Sequence, residues 1–200
     1  MPVNLSPGPS PLPLEPWEAY LNDLQPGKRG YQLLTESHHS PHSTDFISRL
    51  EQQVLNVLAI NETHRVIFIS GSARETFLRI NRFLLTKNYQ LGHDVTGFWS
   101  RWAKTHALPG NDLASQVARH FCVNETVDGI YSQPVDDGSL LIADATSSLF
   151  TRPFDPKVAI CYASGQKIFS LSGFSLVILR KDLLVSEPAP ASEFASNFNH

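Results

Sequence analysis

Residues 140–167 read LLIADATSSLFTRPFDPKVAICYASGQK. Two unbroken apolar runs lie inside this stretch, 140–143 and 158–163, and each stops at a polar segment: Asp144 closes the first, and Ser164, Gly165, Gln166 and Lys167 follow the second. A short apolar run without alternation fits a strand buried on both faces, as in a mainly parallel sheet covered by helices. Further runs of this kind stand at 65–70 (RVIFIS), 120–123 (HFCV) and 175–179 (SLVIL). The fold class read from them is α/β, a mainly parallel sheet flanked by helices.

Between the runs the period changes. Phe46, Ile47, Leu50, Val54, Leu55 and Leu58 recur at helical spacing, which predicts an amphipathic helix over 45–58 with Ser43 or Thr44 as its cap. After 65–70 come the small residues of GSARETF and a second helical pattern over 77–85, giving strand, turn and helix in succession. Pro2, Pro7, Pro9, Pro11, Pro13 and Pro16 deny the first residues both ladder donors and helix continuation. The expected organisation is therefore a proline-rich arm over 1–20, one domain over 21–185 and an irregular tail over 186–200.

With 200 residues, 42% of them hydrophobic, the chain is long enough for one sizeable core. Its 16 basic and 19 acidic residues give a net charge of −3, which argues against a nucleic-acid or anionic-membrane partner. Cys122 and Cys161 both lie in apolar runs without metal-ligand spacing, so buried free thiols are expected rather than a disulfide or a metal site. No run approaches the roughly 18 apolar residues that span a bilayer. A soluble, cytoplasmic protein is the expectation.

Several polar groups fall where strands end. An acid at one strand mouth and an amine at another form the minimum apparatus for holding pyridoxal phosphate: Lys167 can form a Schiff base with its aldehyde, and Asp144 can keep its ring nitrogen protonated. Taken singly, a strand-end acid is commonly a turn or helix cap and a lysine commonly solvated. The turn Ser70-Gly71-Ser72-Ala73-Arg74 leads into a helix start, whose free amides and dipole suit a phosphate; an ordinary strand-to-helix turn reads the same way. Trp99, in TGFWS, is a candidate exposed ring for stacking on a flat cofactor, or a core residue. Thr126, in the polar turn NETVDG, offers a hydroxyl directly after a strand.

Taken together, RVIFISGSARETF, TGFWS, CVNETVDG, LLIADATSSLFTRPFD and VAICYASGQKIFSLSGFSLVILRKDLL resemble, in the same order, the signature segments of phosphoserine aminotransferase, a class-V, fold-type-I pyridoxal-phosphate enzyme. The resemblance runs from about residue 4 to about 185. It implies the large domain of a fold-type-I transferase, with the small C-terminal domain missing, and a homodimer.

On the matching positions the resemblance makes Lys167 the Schiff-base lysine and proton carrier, and Asp144 the partner of the pyridine nitrogen. Trp99 would stack on the ring, Thr126 would bond its 3-hydroxyl oxygen, and Ala73, Arg74 and Gln166 would hold the phosphate. His38 and His39, in ESHHS, fall where the family has a His-Arg pair for the substrate's anionic groups, and residues 4–9 (NLSPGP) match its N-terminal arm. A histidine replaces a bidentate guanidinium only in a pH-dependent way. The implied reaction is amino transfer between phosphoserine or 3-phosphohydroxypyruvate and glutamate or 2-oxoglutarate, in serine biosynthesis. The alternative is a degenerate, non-catalytic protein of the same fold that keeps the cofactor without turnover. His38, His39 and His42 form a loop cluster for which no metal is expected.

Overall fold

The computed structural model describes residues 8–9, 13–106, 116–133, 135 and 137–184. Its centre is a six-stranded sheet made of β1 (His64–Ser70), β2 (Tyr89–Asp94), β3 (Gln116–Cys122), β6 (Leu140–Asp144), β7 (Val158–Ser164) and β8 (Phe174–Arg180). A separate two-stranded hairpin joins β4 (Asn124–Glu125) to β5 (Ile130–Tyr131). The strand order in the main sheet is β1-β8-β7-β6-β3-β2. Strands β2, β3, β6 and β7 pair in parallel, whereas β8 is antiparallel to both β7 and β1. Five strands thus point one way and β8 the other.

Each face of the sheet carries its own core, as expected for strands without alternation. On one face, α4 (Ala73–Thr86) and α5 (Gly97–His106) bring Phe77, Ile80, Leu84 and Trp99 against Ile142, Ile160, Tyr162 and Val177. On the other, α3 (Pro41–Leu58) brings Val54, Leu55 and Leu58 against Leu141, Ala143, Cys161 and Ile178. Fully burying a side chain of this size stabilises by about 1.5–3 kcal/mol, so these two layers dominate the favourable side of folding.

The helix expected over 45–58 starts four residues earlier, at Pro41. Ser40 is its cap, accepting the Ser43 amide at 3.1 Å, and proline at the first helical position is pre-organised for that turn. The helix expected over 77–85 begins at Ala73, where Ser72 and Glu75 form a reciprocal capping box. Strand β1 is an edge of the sheet, and Glu51 of α3 covers part of it by accepting the Val66 amide at 3.0 Å and the Arg65 guanidinium.

Two helices precede this body, α1 (Leu14–Asp23) and α2 (Arg29–Thr35). Helix α1 crosses the boundary expected at residue 20: Pro16 falls in its first turn, where the missing amide is no loss. The tail over 186–200 lies outside the described residues. No helix among the described residues is long and apolar enough to cross a membrane.

Candidate functional site

In a sheet of parallel strands, the loops leaving their carboxyl ends gather along one edge, where ligands of open α/β sheets bind. Here that edge collects the segment after β1 with Ala73 and Arg74, the segment after β2 with Gly97 and Trp99, and the turn after β3 with Thr126. It also holds Asp144 at the end of β6 and Gln166 and Lys167 after β7. Strand β8 begins at the same end, and its approach ties the first turn down: the Gly71 amide donates to the Gly173 carbonyl at 2.9 Å, and the Ser175 hydroxyl donates to the Gly71 carbonyl at 2.9 Å.

Asp144 is the buried centre, only 4% exposed. One carboxylate oxygen accepts the Thr146 amide at 3.0 Å and the Thr146 hydroxyl at 2.6 Å. The other accepts the Trp99 indole N–H and faces the Cys122 thiol at 3.8 Å. Loss of hydration on burial raises the Asp144 pKa above its ordinary value, while the two Thr146 bonds, the indole and the positive charge of Lys167 pull it back down. The Lys167 charge is the smallest of these influences on the carboxylate.

Lys167, in a short 3-10 turn (Gly165–Lys167), donates from its amine to the Thr126 hydroxyl at 3.2 Å. The turn is compact because Ile168, Phe169 and Ser170 all return their amides to the Gly165 carbonyl. A Cβ on Gly165 would lie 2.7 Å from the Leu171 carbonyl oxygen, so the closure requires glycine there. Gln166 accepts the Ser164 hydroxyl at 2.5 Å, and the Ser164 amide reaches the Thr146 hydroxyl at 3.3 Å. Asp144, Thr146, Ser164 and Gln166 thereby form one hydrogen-bonded row across β6 and β7.

At the start of α4 the capping box takes up the Ser72 and Glu75 amides. The amides of Ala73 and Arg74, first and second in the helix, have no intrahelical carbonyl in reach, and the helix dipole adds partial positive charge at that end. The Arg74 guanidinium lies over Phe98 and Trp102, at 4.7 and 5.1 Å from the ring centroids.

Of the two readings of Trp99, core residue or exposed ring, the structure has the first: it is 5% exposed and packs against Phe77, His120 and Tyr162, with its N–H turned inward to the Asp144 carboxylate. His38 and His39 stand on another element, the exposed turn between α2 and α3, with rings 3.9 Å apart and the His39 amide on the Ser37 hydroxyl at 3.2 Å. His42 faces Glu36 at 3.4 Å. Among the described residues no group of three or more histidines, cysteines or carboxylates could hold a metal ion.

Sequence reasoning passed over three parts of the site. Thr146 follows Asp144 by two positions, the spacing at which an aspartate accepts the amide ahead of it, so this contact had a readable signal. The S-x-x-E of Ser72 and Glu75 had one too. Glu125 had none: it is 3% exposed, and its carboxylate accepts the Val127 and Asp128 amides at 3.0 and 2.6 Å.

Comparison with solved structures first defines the class. The fold is that of the aminotransferases, shared at the level of architecture with ureidoglycine-glyoxylate aminotransferase from Bacillus subtilis (TM-score 0.63, 14% identity). Within that class the chain is related, along nearly its whole described length, to phosphoserine aminotransferases. The structure of that enzyme from Trichomonas vaginalis with pyridoxal phosphate bound matches with a TM-score of 0.78 and 26% identity, over 98% of this chain and 62% of that one. The one from Bacillus circulans subsp. alkalophilus matches with a TM-score of 0.77 and 26% identity, over 96% and 61%. By sequence the chain is 30% identical to the phosphoserine aminotransferase of Desulfotalea psychrophila, over 98% of its own length and 62% of the relative's. It spans about three fifths of the length of these relatives. No family model matches the chain.

Proposed function

We propose that this chain is the cofactor-binding part of a pyridoxal-phosphate-dependent aminotransferase acting on phosphoserine and glutamate, with 3-phosphohydroxypyruvate and 2-oxoglutarate as their keto partners. The observation that carries the reading is the Lys167 amine held on Thr126 beside the buried Asp144, at the carboxyl ends of β3, β6 and β7. Bound pyridoxal phosphate supplies an aldehyde for a lysine amine and a ring that draws electrons from a substrate carbanion.

The residues divide the work of holding it. The Ala73 and Arg74 amides, at the positive end of α4, meet the phosphate, with Gln166 as a third contact. Asp144 lies out of water, yet it is held toward its ionised form by Thr146, Trp99 and Lys167, which suits it to accept a ring N–H⁺. Thr126 aims the Lys167 amine and offers its hydroxyl to the ring oxygen, while buried Trp99 braces the carboxylate and walls the site. Lys167 is the group that accepts and returns a substrate proton. His38 and His39 are assigned to the substrate's anionic groups, and a homodimer in the cytoplasm is the working assembly.

The test has two stages. Adding pyridoxal phosphate to the purified chain should give a new visible band, and borohydride followed by peptide mapping should fix the pyridoxyl group on Lys167. A Lys167→Ala protein that keeps the band, or a pyridoxyl group that maps to another lysine, would sink the assignment. Amino transfer from phosphoserine to 2-oxoglutarate, above the rate with free cofactor, then distinguishes an enzyme from a protein that binds without turnover.

A further inference from the structure

Glu125 is a buried carboxylate, and among the described residues no basic side chain forms an ion pair with it. A carboxylate out of water is unfavourable unless its oxygens are satisfied. Those of Glu125 are satisfied by the turn that follows it: the Val127 amide lies 3.1 and 3.0 Å from the two oxygens, and the Asp128 amide 2.6 Å from one of them. Thr126 sits between Glu125 and those two amides, so the bonds fix its backbone on both sides. The same carboxylate lies against Gly97, where φ is +54° and any Cβ would collide with it. Gly97 opens α5, which carries Trp99 to Asp144. On its other side the turn is anchored by Asn124, whose side-chain Nδ2 donates to the Ser147 hydroxyl at 3.0 Å while that hydroxyl donates to the Asn124 main-chain carbonyl at 2.7 Å.

We infer that Glu125 is a positioning residue of the site: it clamps the Thr126 turn against the start of α5 and thereby sets where the Lys167 amine stands. This rests on the functional reading above and adds to it a residue that touches neither Lys167 nor Asp144 among the hydrogen bonds of the site. Gly97 is glycine in this chain because the clamp occupies the space a side chain would need.

The inference is tested by a double-mutant cycle read in cofactor retention and in the pH midpoint of the bound-cofactor band, with pyridoxal phosphate as the probe. Glu125→Ala alone should weaken retention about tenfold, the scale of a hydrogen bond to a charged group, and displace the midpoint. In a Thr126→Val background the same change should weaken retention less than about twofold, because its route to Lys167 is already cut. Glu125→Gln, which keeps the size and one acceptor, should restore part of the loss. It also carries the cycle should Glu125→Ala fail to fold, with a loss of about threefold expected on the unsubstituted background.

Equal losses in both backgrounds, or a single substitution that leaves retention and midpoint unchanged, would overturn the inference while leaving the cofactor assignment intact. A wild-type chain with no Lys167-dependent band would overturn the assignment and the inference together.

Discussion

The Lys167 amine and the Thr126 hydroxyl meet at 3.2 Å although 41 positions separate them in the chain. The contact joins the loop after β7 to the turn after β3, with β6 and its terminal Asp144 lying between those strands in the sheet. An amine, a hydroxyl and a buried carboxylate are thereby brought to adjacent strand ends by topology alone.

Replacing Thr126 with Val removes the acceptor for that amine at nearly constant volume. Retention of pyridoxal phosphate should weaken by about tenfold, with the melting temperature in the absence of cofactor little changed. Spectroscopic titration of the two proteins side by side gives the ratio, and unaltered retention would refute the role assigned to Thr126.

Thr146 supplies two of the bonds that keep Asp144 satisfied, and Thr146→Val deletes the one from the hydroxyl. The substitution should lower folding stability by about 1–3 kcal/mol, since a buried carboxylate oxygen loses a partner. It should also raise the Asp144 pKa further, since the largest of the four downward influences is gone. Urea unfolding at neutral pH measures the first effect; a midpoint equal to wild type would contradict it.

Acid should destabilise the chain before its carboxylates begin to titrate. Burial, with a smaller push from the His93 ring, lowers the His120 pKa from an ordinary 6.5 to about 3, and burial lowers His64 and His93 in the same direction. The unfolded chain takes up these protons below pH 6.5 while the native state refuses them. Stability is therefore full above 6.5 and falls as the pH drops from 6.5 toward 3, by roughly 1.4 kcal/mol per pH unit for His120. Urea midpoints from pH 7.5 to 5 should trace this decline. His120→Gln, though less stable at pH 7.5 for want of the 2.8 Å contact with the Tyr162 hydroxyl, should show a shallower one. An identical slope in the variant would rule His120 out as its source.

Both thiols should be silent in the native protein. Burial raises Cys122 and Cys161 far above the ordinary thiol range, and the nearby Asp144 charge pushes the same way, so the reactive thiolate is suppressed. Ellman's reagent should modify neither cysteine in buffer and both in denaturant; fast reaction of either in buffer would contradict the burial.

The sequence was most readable where burial is two-sided. The runs at 140–143, 158–163 and 175–179 became β6, β7 and β8 almost residue for residue, because a strand covered on both faces admits few polar side chains. The same property hid the direction of β8, since a doubly covered strand has one composition whether it lies parallel or antiparallel. Strand β2, YQLGHD, is an edge strand with no apolar run to mark it. Asp144 and Lys167 were legible because strand ends are where polar groups interrupt apolar runs. The Trp99 bond to Asp144 and the burial of Glu125 were not: each depends on a partner remote in sequence, Asp144 for the indole and Gly97 for the carboxylate.

The place of β8 between β1 and β7 also imposes a schedule. Among the described residues β1 pairs with β8 alone, His64 opposite Arg180 and Ser70 opposite Phe174, so β1 waits for a strand that leaves the ribosome much later. Until residues 174–180 emerge, β1 and β7 each present a row of unpaired backbone groups, and closing so long a loop is slow. The Gly71 turn, which needs Gly173 and Ser175 to hold it, is among the last pieces to set. A nascent chain halted before Phe174 would carry Asp144, Thr126 and Lys167 but neither a finished sheet nor an anchored Gly71 turn, leaving it a substrate for chaperones.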